Sequence, residues 1–136
     1  LLSLGLLGIC LSSWSEAMSF SSSFQTGRIL FLMQQGEHEQ ALKLYQAASR
    51  TNGQHDFELL HQMGLKMLDY GFRQHDPECQ LLALFGASIS AHEEVYYILD
   101  ESLRSRFPEI QLVALNALAR FQNDRADQAL LRALGA

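Results

Sequence analysis

Apolar residues recur at intervals of three and four positions from residue 27 almost to the end of the chain. This is the period of a helix that buries one face, and no stretch alternates for long with the period of two that indicates a half-buried strand. The pattern therefore predicts an all-α fold whose short connections make neighbouring helices antiparallel. Glycine, asparagine and proline residues divide it into helices at about 29–35, 37–50, 57–71, 77–88, 90–103, 108–121 and 126–134.

Local signals predict where several of these helices begin. Asp56 is a suitable N-cap, and Asp76 followed by Pro77 pairs a capping carboxylate with a proline at the first helical position. Ser90 and Glu93 have the spacing of a capping box. We therefore expect new helices to start at each of these three places.

The apolar pattern also predicts what each helix buries. The helix after residue 56 is expected to bury Phe57, Met63 and Met67 on one face. The helices at 77–88 and 108–121 are apolar nearly all round. Such helices must be covered on several sides, so we expect both to lie inside the packed structure.

An internal repeat is the strongest pattern in the chain. Aligning Pro77 with Pro108 places 77–84 (PECQLLAL) on 108–115 (PEIQLVAL), and six of these eight positions are identical. A period of this length that is made of two helices predicts stacked units, because one helix pair cannot bury its own apolar face. The predicted architecture is a right-handed α-solenoid of about three to four stacked antiparallel helix pairs.

These segments resemble a known repeat family. Residues 76–84 (DPECQLLAL), 107–119 (FPEIQLVALNALA) and 124–135 (DRADQALLRALG) resemble HEAT-type repeats, in particular the short variety first recognised in phycobilin lyases. The resemblance covers roughly residues 56–136. Phe107 departs from the capping aspartate of the family, and the resemblance makes 124–135 a first helix that lacks its partner helix.

Residues 36–48 (GEHEQALKLYQAA) resemble the second helix of a tetratricopeptide repeat. The helix before them departs from that family because it lacks the usual aromatic and glycine pair. Both families are α-solenoids, so the resemblances imply a binding scaffold whose ridged face takes a protein or peptide. We assign 27–55 to a tetratricopeptide-like hairpin and 56–136 to HEAT-like repeats.

The beginning of the chain has a different composition. Residues 1–14 carry no charge, and as a helix they would span roughly 21 Å, less than the roughly 30 Å of a bilayer core. Together with the small residues around Glu16, residues 1–17 are typical of a signal peptide, and residues 18–26 of a linker. This favours an exported, periplasmic or cell-envelope location. A packed N-terminal helix, a truncated membrane anchor and a cytoplasmic location are the alternatives.

Charge and cysteine content exclude several classes of protein. The formal net charge of −5 lacks the basic footprint of a nucleic-acid binder. Two cysteines, Cys10 and Cys79, do not form the disulfide framework of a small secreted domain. The sequence has no phosphate-binding glycine loop, no Cys-x-x-Cys pair and no serine nucleophile elbow. We therefore expect no enzyme activity and no small-molecule cofactor.

The remaining chemical groups favour structural roles. On paper, His75 and Cys79 compose a metal site with Asp76 or His61, but Pro77 starts the helix and leaves His75 outside it. Capping and core roles explain these residues better. The pairs Glu93-Glu94 and Asp100-Glu101 are adjacent, so their members point about 100 degrees apart on a helix and do not form an acid–base dyad. The prediction is no catalytic residue and no metal site.

One basic concentration remains, and we take it as the candidate partner-binding set, with solvated helix ends as the alternative. It consists of Arg104, Arg106, Arg120, Arg125 and Arg132. The predicted function is a non-catalytic repeat scaffold for a protein or peptide, within a longer exported protein. A regulatory or lyase-like segment of a larger enzyme is the alternative. The last helix would expose Leu130, Leu131 and Leu134, which predicts self-association or marginal stability of the 136-residue chain.

Overall fold

A computed structural model describes residues 22–121 and 124–135, and every secondary-structure element in those ranges is helical. The all-α prediction is confirmed. Residues 22–34 form α1. The elements that follow are α2 (His38–Asn52), α3 (Phe57–Arg73), α4 (Pro77–Ser90), a 3₁₀ turn (Glu93–Val95), α5 (Tyr96–Ser102), α6 (Pro108–Arg120) and α7 (Asp124–Ala133). None of these helices is both long enough and apolar enough to span a membrane.

The first helix corrects the predicted linker at 18–26. Residues 22–26 form the first turns of α1. Their side chains are largely exposed, so they show no apolar period, and the buried positions that anchor the helix, Ile29 and Met33, come later. The rest of the predicted linker and the signal-like segment at 1–17 lie outside the described residues.

The predicted caps of α3 and α4 are present. The Asp56 carboxylate accepts a hydrogen bond from the backbone N of Leu59 at 2.9 Å. The Asp76 carboxylate accepts one from the backbone N of Cys79 at 2.9 Å, with Pro77 at the start of α4. Each cap satisfies a backbone N–H that has no partner within its own helix.

The predicted capping box at Ser90 and Glu93 is not formed. Ser90 is the last residue of α4, and its hydroxyl donates to the backbone O of Ala87 at 3.1 Å. His92 takes the capping position instead, because its Nδ1 accepts from the backbone N of Glu94 at 3.3 Å. The preceding helix runs slightly further than its apolar pattern indicates, and the next one begins with the 3₁₀ turn.

The helices enclose two apolar cores that share α3. The first consists of Ile29, Met33, Ala41, Tyr45, Leu59 and Met63. The second runs from Leu65 through α4, α5 and α6 to Ala129 of α7. The predicted boundary between residues 55 and 56 falls in the loop before α3, and α3 packs against the elements on both sides of it.

Contacts between elements follow the chain order. α3 packs on α4, α4 on α5, α5 on α6 and α6 on α7, and α4 also lies against α6. Under the alignment of Pro77 with Pro108, the 3₁₀ turn and α5 (93–102) fall on α7 (Asp124–Ala133). α7 packs on α6, as α5 packs on α4, so in this alignment α7 has the position of α5.

The repeat is also visible in side-chain hydrogen bonds. Gln80 Nε2 donates to the backbone O of Gln74 at 2.8 Å. The equivalent residues of the next repeat make the same contact, since Gln111 Nε2 donates to the backbone O of Ser105 at 2.6 Å. Each glutamine ties its helix to the loop that precedes it, and this holds the start of α6 although Phe107 makes no side-chain cap.

α4 and α6 are not covered on all sides. Leu82 and Ile89 of α4 are 71% and 83% exposed, and Leu112 of α6 is 68% exposed. The face of α4 that packs against α3, α5 and α6 buries Ala83, Leu84 and Ala87. No described element covers the opposite face. Phe57 and Met67, also expected to be buried, are 77% and 47% exposed.

Candidate functional site

Two of the five predicted arginines pair with the carboxylate of Asp100, and a third lies over the ring of the nearby Tyr96. Asp100 Oδ2 accepts from Arg104 Nη2 at 3.0 Å, and Asp100 Oδ1 accepts from Arg132 Nη2 at 3.3 Å. Arg125 lies beside them, with its guanidinium carbon 4.8 Å from the centre of the Tyr96 ring. These contacts join the end of α5 to α7.

The other two arginines lie elsewhere. The guanidinium of Arg106 lies 4.8 Å from the centre of the Phe107 ring, in the loop before α6. Arg120 is exposed in the last turn of α6. Arg106 and Arg120 therefore lie apart from the other three, of which Arg104 and Arg132 share Asp100 and Arg125 lies against Tyr96.

Arg125 and Arg132 line an open pocket of about 240 Å³, which we call the α5–α7 pocket. α5 and α7 contribute equally to its lining. The lining residues are Tyr96, Tyr97, Asp100, Arg125, Gln128 and Arg132.

Tyr96 is the unusual residue of this pocket. Its side chain is only 7% exposed, and its buried Oη has no hydrogen-bond partner among the described residues. Burial, reinforced by the negative charge of Asp100, raises the pKa of Tyr96. The hydroxyl therefore keeps its proton at neutral pH and is an unused donor. Leaving such a group unpaired costs about 1–3 kcal/mol of folding free energy.

The contacts of Asp100 have a counterpart one repeat earlier. Asp69 accepts from Arg73 Nε at 3.0 Å, as Asp100 accepts from Arg104 one helical turn further along its own helix. Asp69 also accepts a hydrogen bond from the Tyr97 hydroxyl, where Asp100 accepts from Arg132. Each aspartate thus joins its own helix to the next pair, so the ion pairs of Asp100 are structural contacts and do not use Arg125 or the Tyr96 hydroxyl.

A second concave surface lies at the other end of the molecule. It is an apolar groove of about 360 Å³ between α1, α2 and α3, which we call the methionine groove. Three of the four methionines of the chain line it. The lining residues are Met33, His38, Glu39, Leu42, Met63, Gly64 and Met67.

Sequence reasoning did not identify this groove. The spacing of Met63 and Met67 places them on one face of α3, but the pattern predicted that this face is buried. Gly64 lies between them with open space where a side chain would stand. Met33 reaches the groove because α1 packs against α2 and α3, and the apolar pattern within each helix does not show how the helices pack on one another.

The residues considered for chemistry have structural partners. The hydrogen bond with Asp76, together with burial, raises the pKa of the Cys79 thiol, which is the opposite of what activates a nucleophilic cysteine. His61 lies edge-on against His92 with ring centres 4.5 Å apart. Within residues 22–121 and 124–135, no group of three or more histidine, cysteine or acidic side chains is placed to hold a metal ion.

Comparison of the chain with protein-family models, curated proteins and solved structures found no significant match. The HEAT and tetratricopeptide resemblances therefore stay predictions that rest on the residues quoted for them.

Proposed function

We propose that this chain is a non-catalytic helical-repeat scaffold, part of a longer exported protein, that binds a protein or peptide partner. The methionine groove is the observation that carries this proposal, because it is a concave apolar surface open to a ligand. The uncharged residues 1–14 support export or a cell-envelope location.

The scaffold is proposed to be an α-solenoid with HEAT-like repeats after residue 56. The contact between α4 and α6, two elements of the same repeat position, supports stacking of like helices. Gln80 and Gln111 make matching contacts at equivalent positions of successive repeats, and so do Asp69 and Asp100, which supports a repeated unit. The hairpin of α1 and α2 extends the array at the other end.

The chemistry of the groove suits an apolar helix face. Methionine side chains are unbranched and polarizable, so they adapt to partners of different shape. Leu42 and Met67 are about half exposed at the groove, while Met33 and Met63 form its buried floor. A peptide helix with apolar residues three and four positions apart would cover the exposed carbons of Leu42 and Met67.

The test is photo-crosslinking in the cells that express the intact protein. A benzoyl-phenylalanine at position 42 is expected to give an adduct with one protein partner, and Met67→Glu is expected to abolish that adduct. The matched control places the same probe at position 82, an exposed leucine of α4 outside the groove. Adducts at neither position, or equal adducts at both, would refute binding at the groove.

A further inference from the structure

We propose that the α5–α7 pocket binds an oxyanion, a carboxylate or a phosphate group, through Arg125, Arg132 and the hydroxyl of Tyr96. The pocket is separate from the methionine groove, so this proposal does not depend on peptide binding there.

Arg125, Arg132 and the Tyr96 hydroxyl offer unused hydrogen-bond donors to the pocket. Both carboxylate oxygens of Asp100 already accept from arginines, and Arg132 Nε donates to the backbone O of Gln128 at 3.2 Å. A guanidinium has five N–H donors, so Arg132 retains three. Arg125 pairs with no carboxylate within the described ranges. An anionic acceptor suits these donors best, because charge-assisted hydrogen bonds to a guanidinium are stronger than neutral ones.

Charged groups of both signs surround the pocket. Arg104 and Arg132 pair with Asp100, whereas Arg125 lies over the Tyr96 ring without a carboxylate partner among the described residues. Asp127 is close enough to influence the pKa of Tyr96, and Asp69 and Glu101 that of Tyr97. Arginine binds planar and tetrahedral oxyanions through two parallel N–H groups. The unpaired guanidinium of Arg125 and the donor geometry therefore favour a carboxylate or phosphate ligand.

Comparison between the repeats shows that packing does not require these groups. The position of Tyr96 is occupied one repeat earlier by Leu65, which is buried equally well at 6% exposure. The positions of Arg125 and Arg132 correspond to Glu94 and Glu101, so the charge is reversed. An aliphatic residue suffices for the core, and the donors are therefore a particular property of the surface between α5 and α7.

The hydroxyl of Tyr96 provides a test that separates binding from structure. If it has no partner in the free protein, Tyr96→Phe should melt no lower than the wild-type 136-residue chain in sodium chloride. In sodium phosphate or sodium acetate at the same ionic strength, the wild type should melt at a higher temperature than in chloride, and Tyr96→Phe should lose most of that rise. The larger rise identifies phosphate or carboxylate as the preferred group.

NMR titration of the Tyr96 ring signals measures the affinity. For the anion that binds more tightly, Arg125→Gln should raise the dissociation constant by about fivefold or more, because a charge-assisted hydrogen bond is lost. Arg120→Gln removes the same charge outside the pocket and should leave the constant unchanged. Equal effects of the two arginine variants, no saturable binding by the wild type, or a lower melting temperature of Tyr96→Phe in chloride would overturn the proposal.

Discussion

Gly36 holds the turn between α1 and α2 in a conformation that other residues avoid. Its φ is +82°, and a β-carbon added there would overlap the ring of Tyr70 from α3. Gly53, after α2, has a similar φ of +67° but open space around it. Local pattern predicts a helix end at Gly36, but the ring of Tyr70 arrives from the far end of α3, two helices later, and leaves no local signal.

Gly36→Ala should therefore destabilise the protein for two reasons. The left-handed backbone costs a non-glycine residue about 1–2 kcal/mol, and displacement of Tyr70 adds about 1–3 kcal/mol of overpacking. Gly53→Ala is the matched control, because it has the backbone cost without the overlap. Urea unfolding followed by circular dichroism measures both free energies. Equal losses in the two variants would show that Tyr70 moves aside freely.

At the scale of elements, a partly buried hydrogen bond connects α3 to α5. The carboxylate of Asp69 accepts from Arg73 on its own helix and from the hydroxyl of Tyr97 on α5. Burial on its own raises the pKa of Asp69, but the hydrogen bonds from Arg73 and Tyr97 outweigh it and lower the pKa below the usual range. The ionised carboxylate is therefore the form that holds the two helices together.

Tyr97→Phe should lower the free energy of unfolding at pH 7 by about 1.5 kcal/mol, the value of a hydrogen bond to a charged group. A carboxylate with a lowered pKa contributes its stability fully above about pH 4 and loses it as the pH falls through the lowered value. The difference between the wild type and Tyr97→Phe should therefore shrink in acid, as measured by urea unfolding from pH 7 to pH 2. Asp69→Asn should reduce the loss of unfolding free energy between pH 7 and pH 2, because it removes the titrating carboxylate. A difference that persists unchanged at pH 2 would contradict the role of the ionised carboxylate.

The helices show which sequence signals are sufficient to predict where a helix begins and which of its faces is buried. Asp56 and Asp76 cap the helices that follow them, because a cap depends on residues within one turn. Ser90 has the same local chemistry, yet it ends a helix, since the extent of α4 is decided by its neighbours. The helix at 77–88 was predicted to be covered on several sides, but the exposure of Leu82 depends on which elements lie opposite α4, and periodicity does not contain that information.

At the scale of the whole molecule, the repeat explains which part of the site could be predicted. The five arginines were visible as a group in the sequence. Two of them, Arg104 and Arg132, share Asp100 because α7, which is equivalent to the 3₁₀ turn and α5 under the alignment of Pro77 with Pro108, lies beside α5. The missing partner of the Tyr96 hydroxyl could not be predicted, since it depends on every group within hydrogen-bond reach. The methionine groove also depends on packing between α1, α2 and α3.

The same equivalence predicts how the isolated chain behaves in solution. Leu103 is partly buried against the second core, whereas Leu134, its equivalent in the next repeat, is 76% exposed, and Leu131 is 54% exposed. Covering such side chains is favourable by about 25 cal/mol per Å² of apolar surface, so the isolated chain should self-associate through α7. The mass measured by light scattering should rise with concentration, and Leu131→Ser with Leu134→Ser should shift the association midpoint to about fivefold higher concentration. Leu82→Ser with Ile89→Ser is the control, equally apolar and exposed but on α4. A monodisperse wild-type monomer that melts cooperatively in calorimetry would show that these leucines do not drive association.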